Sequence, residues 1–182
     1  MKLRDEILKE HSKAQATKIV SYVGEDQNRF DQLVDLFLHD EYRVVQRAGW
    51  PLSTITIAHP KLVKKHLKKI VSYCTKEGLH GAVKRNIVRL LQFVTIPKSM
   101  QGEVMDTCFR FVESPDEAVA VKAFSLTVLC NLAKDHPEII PEIKMLIEDQ
   151  LPHQTAAFAS RASKVLREME GDKAKVSRQK KL

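Results

Sequence analysis

Seven histidines (His11, His39, His59, His66, His80, His136 and His153) and three cysteines (Cys74, Cys108 and Cys130) are the residues through which this chain could hold a metal or attack an electrophile. No two histidines stand four apart, the spacing that converges two imidazoles on one helical face, and no cysteine lies in a C-x-x-C pair. A Gly-rich phosphate loop is also missing. The cysteines fall on apolar stripes, where a free thiol is ordinarily a small inert hydrophobe, and an odd number fits no disulfide framework. His59-Pro60 and His136-Pro137 read as polar caps at helix junctions. No metal, no cofactor and no catalytic residue is expected, so the chain reads as a non-enzyme.

The chemistry that does stand out is cationic. The formal net charge of +7 is unevenly spread: residues 61–98 carry ten cations against one acid, residues 1–60 eight against nine, and residues 99–172 seven against thirteen. Lys61, Lys64, Lys65, Lys68 and Lys69 follow i, i+3, i+4 spacing opposite Leu62, Leu67, Ile70 and Val71, which predicts one solvent-facing row on one helix. Like charges one turn apart cost a few tenths of a kcal/mol per pair, and this row lacks acidic partners at i, i+4. The next predicted helix adds Lys84, Arg85 and Arg89. Trp50 lies near Arg47, and an indole beside a guanidinium would stack on a base or on a partner's side chain, although the core is the commoner place for a lone tryptophan. The candidate partner-binding residues are therefore Arg47, Trp50, Lys64, Lys65, Lys68, Lys84, Arg85 and Arg89.

These side chains need elements to position them, and the composition points to helices. Aromatics are 6% of the chain and hydrophobic residues 43%, with only 6 Gly and 7 Pro, a pattern that disfavours a sandwich or barrel. A single all-α domain is expected over residues 1–170. Val45, Val83, Val121 and Ala159 stand 38 apart, and Leu52, Leu90, Val128 and Leu166 follow each by seven. The same step links Leu33, Val71, Phe109 and Ile147, and also Arg29, Leu67, Met105 and Ile143; Arg47, Arg85 and Arg161 recur on it. Two apolar stripes of 3.6 periodicity per unit describe a helical hairpin.

The predicted helices are 3–23, 26–38, 41–58, 61–76, 79–95, 98–113, 115–134, 137–150 and 154–170: one leading helix, then hairpins over 26–58, 61–95, 98–134 and 137–170. Ser114-Pro115-Asp116-Glu117 has the form of a capping box with proline in the first turn, and Asp135-His136-Pro137-Glu138 repeats it. Gly24 and Gly78 follow apolar runs and read as left-handed helix stops. Pro51 falls inside a helix, where a kink near Gly49-Trp50-Pro51 is expected. The final segment, 171–182, has too few apolar side chains to offset its ordering entropy and reads as a disordered basic tail.

The recurring units resemble HEAT repeats, whose second helix begins with an Asp turn followed by Val and a basic residue, then small residues and a Leu. Asp116, Val121, Lys122, Ser125 and Val128 fill those slots over 98–134. Asp40, Val45, Gly49 and Leu52 fill them over 26–58, with Gln46 in the basic slot and Arg47 beside it. The unit over 61–95 has Gly78 for Asp but keeps Val83, Lys84 and Leu90, and the last unit is degenerate, with Gln154, Ala159, Ser160 and Leu166. The resemblance spans about residues 26–170. It implies an α-solenoid in which the second helices line a concave face where partners bind, and in which the Asp and basic residues form a ladder between repeats.

On that reading the chain is a non-catalytic scaffold that binds an acidic protein on its concave face through Lys84, Arg85 and Arg89, with the Lys61–Lys69 row solvated on the outside. The alternative is a nucleic-acid-binding helical-repeat protein similar to the HEAT-like DNA alkylation-repair glycosylases, with Lys64, Lys65, Lys68, Lys84, Arg85 and Arg89 on phosphates. No stretch has the length of uncharged apolar sequence that a membrane helix needs, and MKLRDEILKE is charged where a signal peptide would be apolar. A cytoplasmic location without membrane partners is expected.

Overall fold

The structure, a computed structural model, describes residues 1–76 and 78–179. It is all-helical, with no strand among the described residues. Among the described residues ten helices follow one another: α1 Leu3–Lys9, α2 Lys13–Val23, α3 Gln27–His39, α4 Tyr42–Ala58, α5 Leu67–Cys74, α6 Gly81–Leu91, α7 Lys98–Glu113, α8 Val119–Leu132, α9 Ile140–Gln150 and α10 Ala156–Gln179. Short 3-10 turns cover Lys64–His66, Pro137–Ile139 and Leu151–His153. The contacts group into two compact units, Met1–Met100 and Gln101–Leu182, where the sequence reading had one domain.

In the first unit α4 is the hub, packing on α1, α2, α3 and α6. Val44, Ala48, Leu52 and Ile55 of α4 meet a core that includes Phe30, Leu33 and Phe37 of α3 and Val83, Ile87 and Leu90 of α6, all buried. Gly49 is there because nothing larger fits. A Cβ at this position would stand 2.6 Å from Nδ2 of buried Asn86 and 3.2 Å from its Cβ. The helix continues through Pro51, and the Ser53 and Thr54 hydroxyls both donate to the Trp50 carbonyl at 3.0 Å.

The leading helix expected over 3–23 is two helices. Ser12 takes extended backbone so that its hydroxyl can accept from the Gln15 amide at 3.0 Å, which starts α2 afresh. The carbonyls that α1 leaves without helical partners are taken by side chains: Gln15 donates to the Glu6 carbonyl at 2.6 Å, and Arg47 to the Leu8 carbonyl at 2.8 Å. The Glu6 carboxylate receives Lys9 at 2.6 Å, Gln15 at 2.9 Å and Lys18 at 3.0 Å, and these bonds hold it at about 2, against burial.

Asp31 of α3 is a second clamp. It accepts from Lys65, from Gln27 at 2.8 Å and from the His66 ring at 2.7 Å. Burial raises its pKa, but these bonds outweigh burial and leave the carboxyl at about 2. Asp40 takes a two-pronged bond from Arg4 at 2.9 and 3.1 Å.

In the second unit α8 packs on α9 and α10, and its buried residues, Val121, Lys122, Ala123, Ser125, Leu126, Val128, Leu129, Cys130 and Leu132, surround the helix rather than striping it. Lys122 donates to Gln150 at 2.9 Å, and burial lowers its pKa. The Ser114 hydroxyl accepts from the Asp116 amide at 3.3 Å; this is a turn, and α8 starts later, at Val119, with no side-chain cap. The expected capping box is therefore absent. Asp135 is not a cap either: its carboxylate accepts from Gln101 at 3.2 Å, and Gln101 also bonds His136 at 2.7 Å.

The 38-residue columns hold in most places. Val45, Val83 and Val121 are buried, as are Leu33, Val71 and Ile147. Phe109 and Met105 are only half-buried, since the inner stripe of α7 runs through Val104, Cys108, Phe111 and Val112. Ala159 and Leu166 are half-buried as well. The 3-10 turn before α10 shifts its phase, so that Phe158, Ala162, Val165 and Met169 point inward instead. Gly24, at φ 49°, caps α2 as expected; Gly78 also has positive φ, 69°, but α5 ends earlier, at Cys74 with Thr75 as its cap, so Gly78 turns the loop and does not stop the helix. α10 runs to Gln179, beyond the end expected at 170, because Ala174, Lys175 and Arg178 extend a formed helix without a new nucleation cost. The tail expected to be disordered over 171–182 thus continues a helix, and its residues 180–182 lie outside the described residues.

Gly49→Ala should lower the melting temperature. The clash with Asn86 costs about 1–3 kcal/mol, more than the roughly 1 kcal/mol that alanine gains in helix propensity. A thermal melt followed by circular dichroism reads the difference, and an unchanged or raised midpoint would show that Asn86 swings aside. The clamps give a pH dependence. Both carboxylates are depressed in the folded state, so their stabilisation is complete above the ordinary carboxylate range and is lost as pH falls from about 5 towards 2. Urea titrations across that window should show stability falling steeply in the wild type and less steeply in Glu6→Gln and Asp31→Asn; equal slopes in all three would remove the clamps as its cause.

Candidate basic surface

The lysine row predicted on one helix is divided by the structure. Lys61 lies in a turn, Lys64 and Lys65 in the 3-10 turn, and only Lys68 and Lys69 on α5. The segment cannot begin as α-helix because His59 and Pro60 end α4 and the chain must turn before packing again. All five lysines are exposed. Lys65 is bonded to Asp31 of the preceding hairpin, so it holds two hairpins together rather than standing free. The acidic partner missing at i, i+4 is supplied from another helix.

Arg47 and Trp50 do not form a stacking platform. The Arg47 guanidinium is spent on α1 carbonyls, and the half-buried Trp50 ring meets His11 edge-on, with centroids 6.3 Å apart. On α6, Arg85 is exposed, and Lys84 and Arg89 are half-buried. The helix is started by His80, whose ring nitrogen accepts from the Ala82 amide at 3.1 Å and whose face meets Tyr42. Lys61, Lys64, Lys68, Lys69, Arg85 and Arg89 have no ion-pair partner among the described residues. Cations that neutralise nothing internal are available to an external anion.

One apolar residue beside these cations was not singled out by its sequence. Phe93 is 51% exposed. The helix expected to reach residue 95 ends at Leu91, so Phe93 leaves the stripe of Val83, Ile87, Leu90 and Leu91 and turns outward. Helical phase did not mark it, since Val88 departs further from that stripe and is buried; what exposes Phe93 is the early end of α6. Where the chain leaves α6, Phe93, Val94 and Thr95 face Pro60, Lys61, Lys64 and Leu67 across a hollow of about 220 Å³.

Among the described residues no three His, Cys, Asp or Glu gather as metal ligands. Cys74, Cys108 and Cys130 are buried and in no disulfide, and burial pushes the Cys108 thiol up to about 12, where no thiolate forms near neutrality. No helix among the described residues is long and apolar enough to cross a membrane.

The family model described as HEAT repeat domain matches residues 3–169. No curated protein and no solved structure matches the chain. The match takes in α1 and α2 as well as the four hairpins, so it extends further towards the start of the chain than the residues that carry the sequence resemblance. With its helical hairpins, its second helices buried on several sides and its left-handed stop at Gly24, the chain belongs to the HEAT repeat family and to the α-solenoid class.

Proposed function

We propose that this protein is a non-catalytic scaffold whose second hairpin binds an acidic protein partner, with Arg85 and Arg89 of α6 as the first contacts and Lys84 beside them. HEAT repeat domains are in general protein-interaction scaffolds, and that is the coarse reading the family supports. What carries the finer one is the set of cations left without ion-pair partners in residues 61–98, a segment with a single acidic residue. An exposed patch of one sign steers an oppositely charged partner and rejects like-charged ones, with its effect screened over about 8 Å at physiological salt. A cytoplasmic location fits this reading.

The geometry gives less support to nucleic acid. Base stacking would need a ring and a guanidinium free to receive it, and Arg47 and Trp50 are both occupied.

Pull-downs from native lysate at low and at physiological salt separate the outcomes. The Arg85→Glu/Arg89→Glu variant should retain on the order of tenfold less of an acidic partner than the wild type, and Lys68→Glu/Lys69→Glu should lose much less. A reversed ranking would move the surface to the α5 side. Retention of nucleic acid by the wild type, abolished by nuclease and falling steeply with salt, would replace the acidic protein with a polynucleotide.

A further inference from the structure

The hollow at the end of the second hairpin differs from the rest of the basic surface because it combines charge with an apolar floor. Its lining includes buried Leu67, half-buried Val94 and exposed Phe93, together with Lys61 and Lys64, which are exposed and have no ion-pair partner among the described residues. Phe93 is 51% exposed, and a partner side chain that covered it would gain about 25 cal/mol for each Å² removed from water. The volume, about 220 Å³, suits one side chain and its backbone rather than a folded surface. Two carboxylates of the preceding segment are engaged elsewhere: Asp31 holds Lys65 and His66, and Glu25 lies 3.5 Å from the His59 ring.

We propose that this hollow is a docking point for a linear acidic segment of a partner protein, one leucine- or phenylalanine-sized side chain seated against Phe93 and Leu67 while carboxylates on either side meet Lys61 and Lys64. The occupant follows from complementarity at both points. A purely acidic polymer would leave Phe93 exposed, and a purely apolar one would bring no anion to the two free ammonium groups. The α6 surface carrying Arg85 and Arg89 is not part of the hollow, so this contact goes beyond the function proposed above and does not depend on it.

The test is a random-peptide display library panned on the full chain, followed by measurement of the enriched peptides in solution. The expected consensus has one large apolar residue flanked by Asp or Glu. Its binding should fall at least about fivefold in Phe93→Ala and be lost in Lys61→Glu/Lys64→Glu, and it should stay within about twofold in Arg85→Glu/Arg89→Glu. Phe93 is exposed and outside any helix, so Phe93→Ala should keep the wild-type melting curve; Lys61→Gln/Lys64→Gln, with an intermediate loss, checks the charge component without introducing repulsion. Enriched peptides lacking the apolar residue, or ones whose binding ignores Phe93→Ala, would overturn the proposal. Binding lost only in Arg85→Glu/Arg89→Glu would overturn it too, while leaving the α6 reading in place.

Discussion

A helix buried on several sides has no face left for its own polar groups, and each unit of this protein is arranged around one. In the first unit α4 is covered by α1, α2, α3 and α6; in the second α8 is covered by α9 and α10. Such helices are mostly apolar or small where they touch a neighbour, and a polar residue there costs free energy unless it finds a partner; the Thr56 hydroxyl of α4 is buried without one among the described residues. Gly49 and Ala48 let α6 approach α4 closely, and Lys122, fully buried on α8, reaches Gln150. The peripheral helices are under weaker constraint, which is why they carry the charge. The separation of a packed second helix from a charged, partly exposed periphery follows from burial before any function is considered.

The sequence period and the contact period differ, and the difference is informative. Equivalent positions lie 38 apart, but most polar links between neighbouring hairpins join residues 34 or 35 apart: Asp31 with Lys65 and His66 in the first unit, and Gln101 with Asp135 and His136, Thr127 with Arg161, and Lys134 with Glu168 in the second; Lys122 with Gln150, 28 apart, departs from this. A shortfall of three or four is one helical turn. In most links each residue therefore meets the side chain one turn before its own equivalent in the next hairpin. The columns of like residues found in the sequence describe the repeat, not the pairs in contact. That explains why the Asp and basic slots form no simple ladder here: Asp40 turns to Arg4, and Lys122 to Gln150.

Helical periodicity made the fold legible in the sequence, because core burial repeats along each helix whatever lies around it. Val83, Ile87 and Leu90 were visible as a stripe for that reason, and so was the stop at Gly24, where local backbone geometry decides. What was not legible depended on partners distant in sequence. The break at Ser12 is supported by Gln15 and by Arg47, 35 residues further on in the chain. The lysine row looked uncompensated because Asp31, its counter-ion, sits on another helix. Phase was the other source of error: a 3-10 turn before α5 and another before α10 each displaced the helical wheel, scattering the lysines in one case and moving the inner face from Ala159 to Phe158 in the other.

The candidate surface is what remains after internal demands are subtracted. Of the eight residues singled out as partner-binding, Arg47, Trp50 and Lys65 are engaged within the fold, Arg47 on helix-end carbonyls, Trp50 on His11 and Lys65 on Asp31. Lys64, Lys68, Arg85 and Arg89 have no such engagement among the described residues. Charge density in a sequence therefore overstates a binding surface by the portion that clamps neighbouring repeats. The residues that escape this demand lie where helices end or where α6 shows a solvent face, and there the exposed ring of Phe93 adds the apolar contact that a cationic patch alone does not offer. On the proposed reading, long-range attraction, which is indifferent to a partner's sequence, would set the encounter, and a hollow that takes one side chain would set the fit.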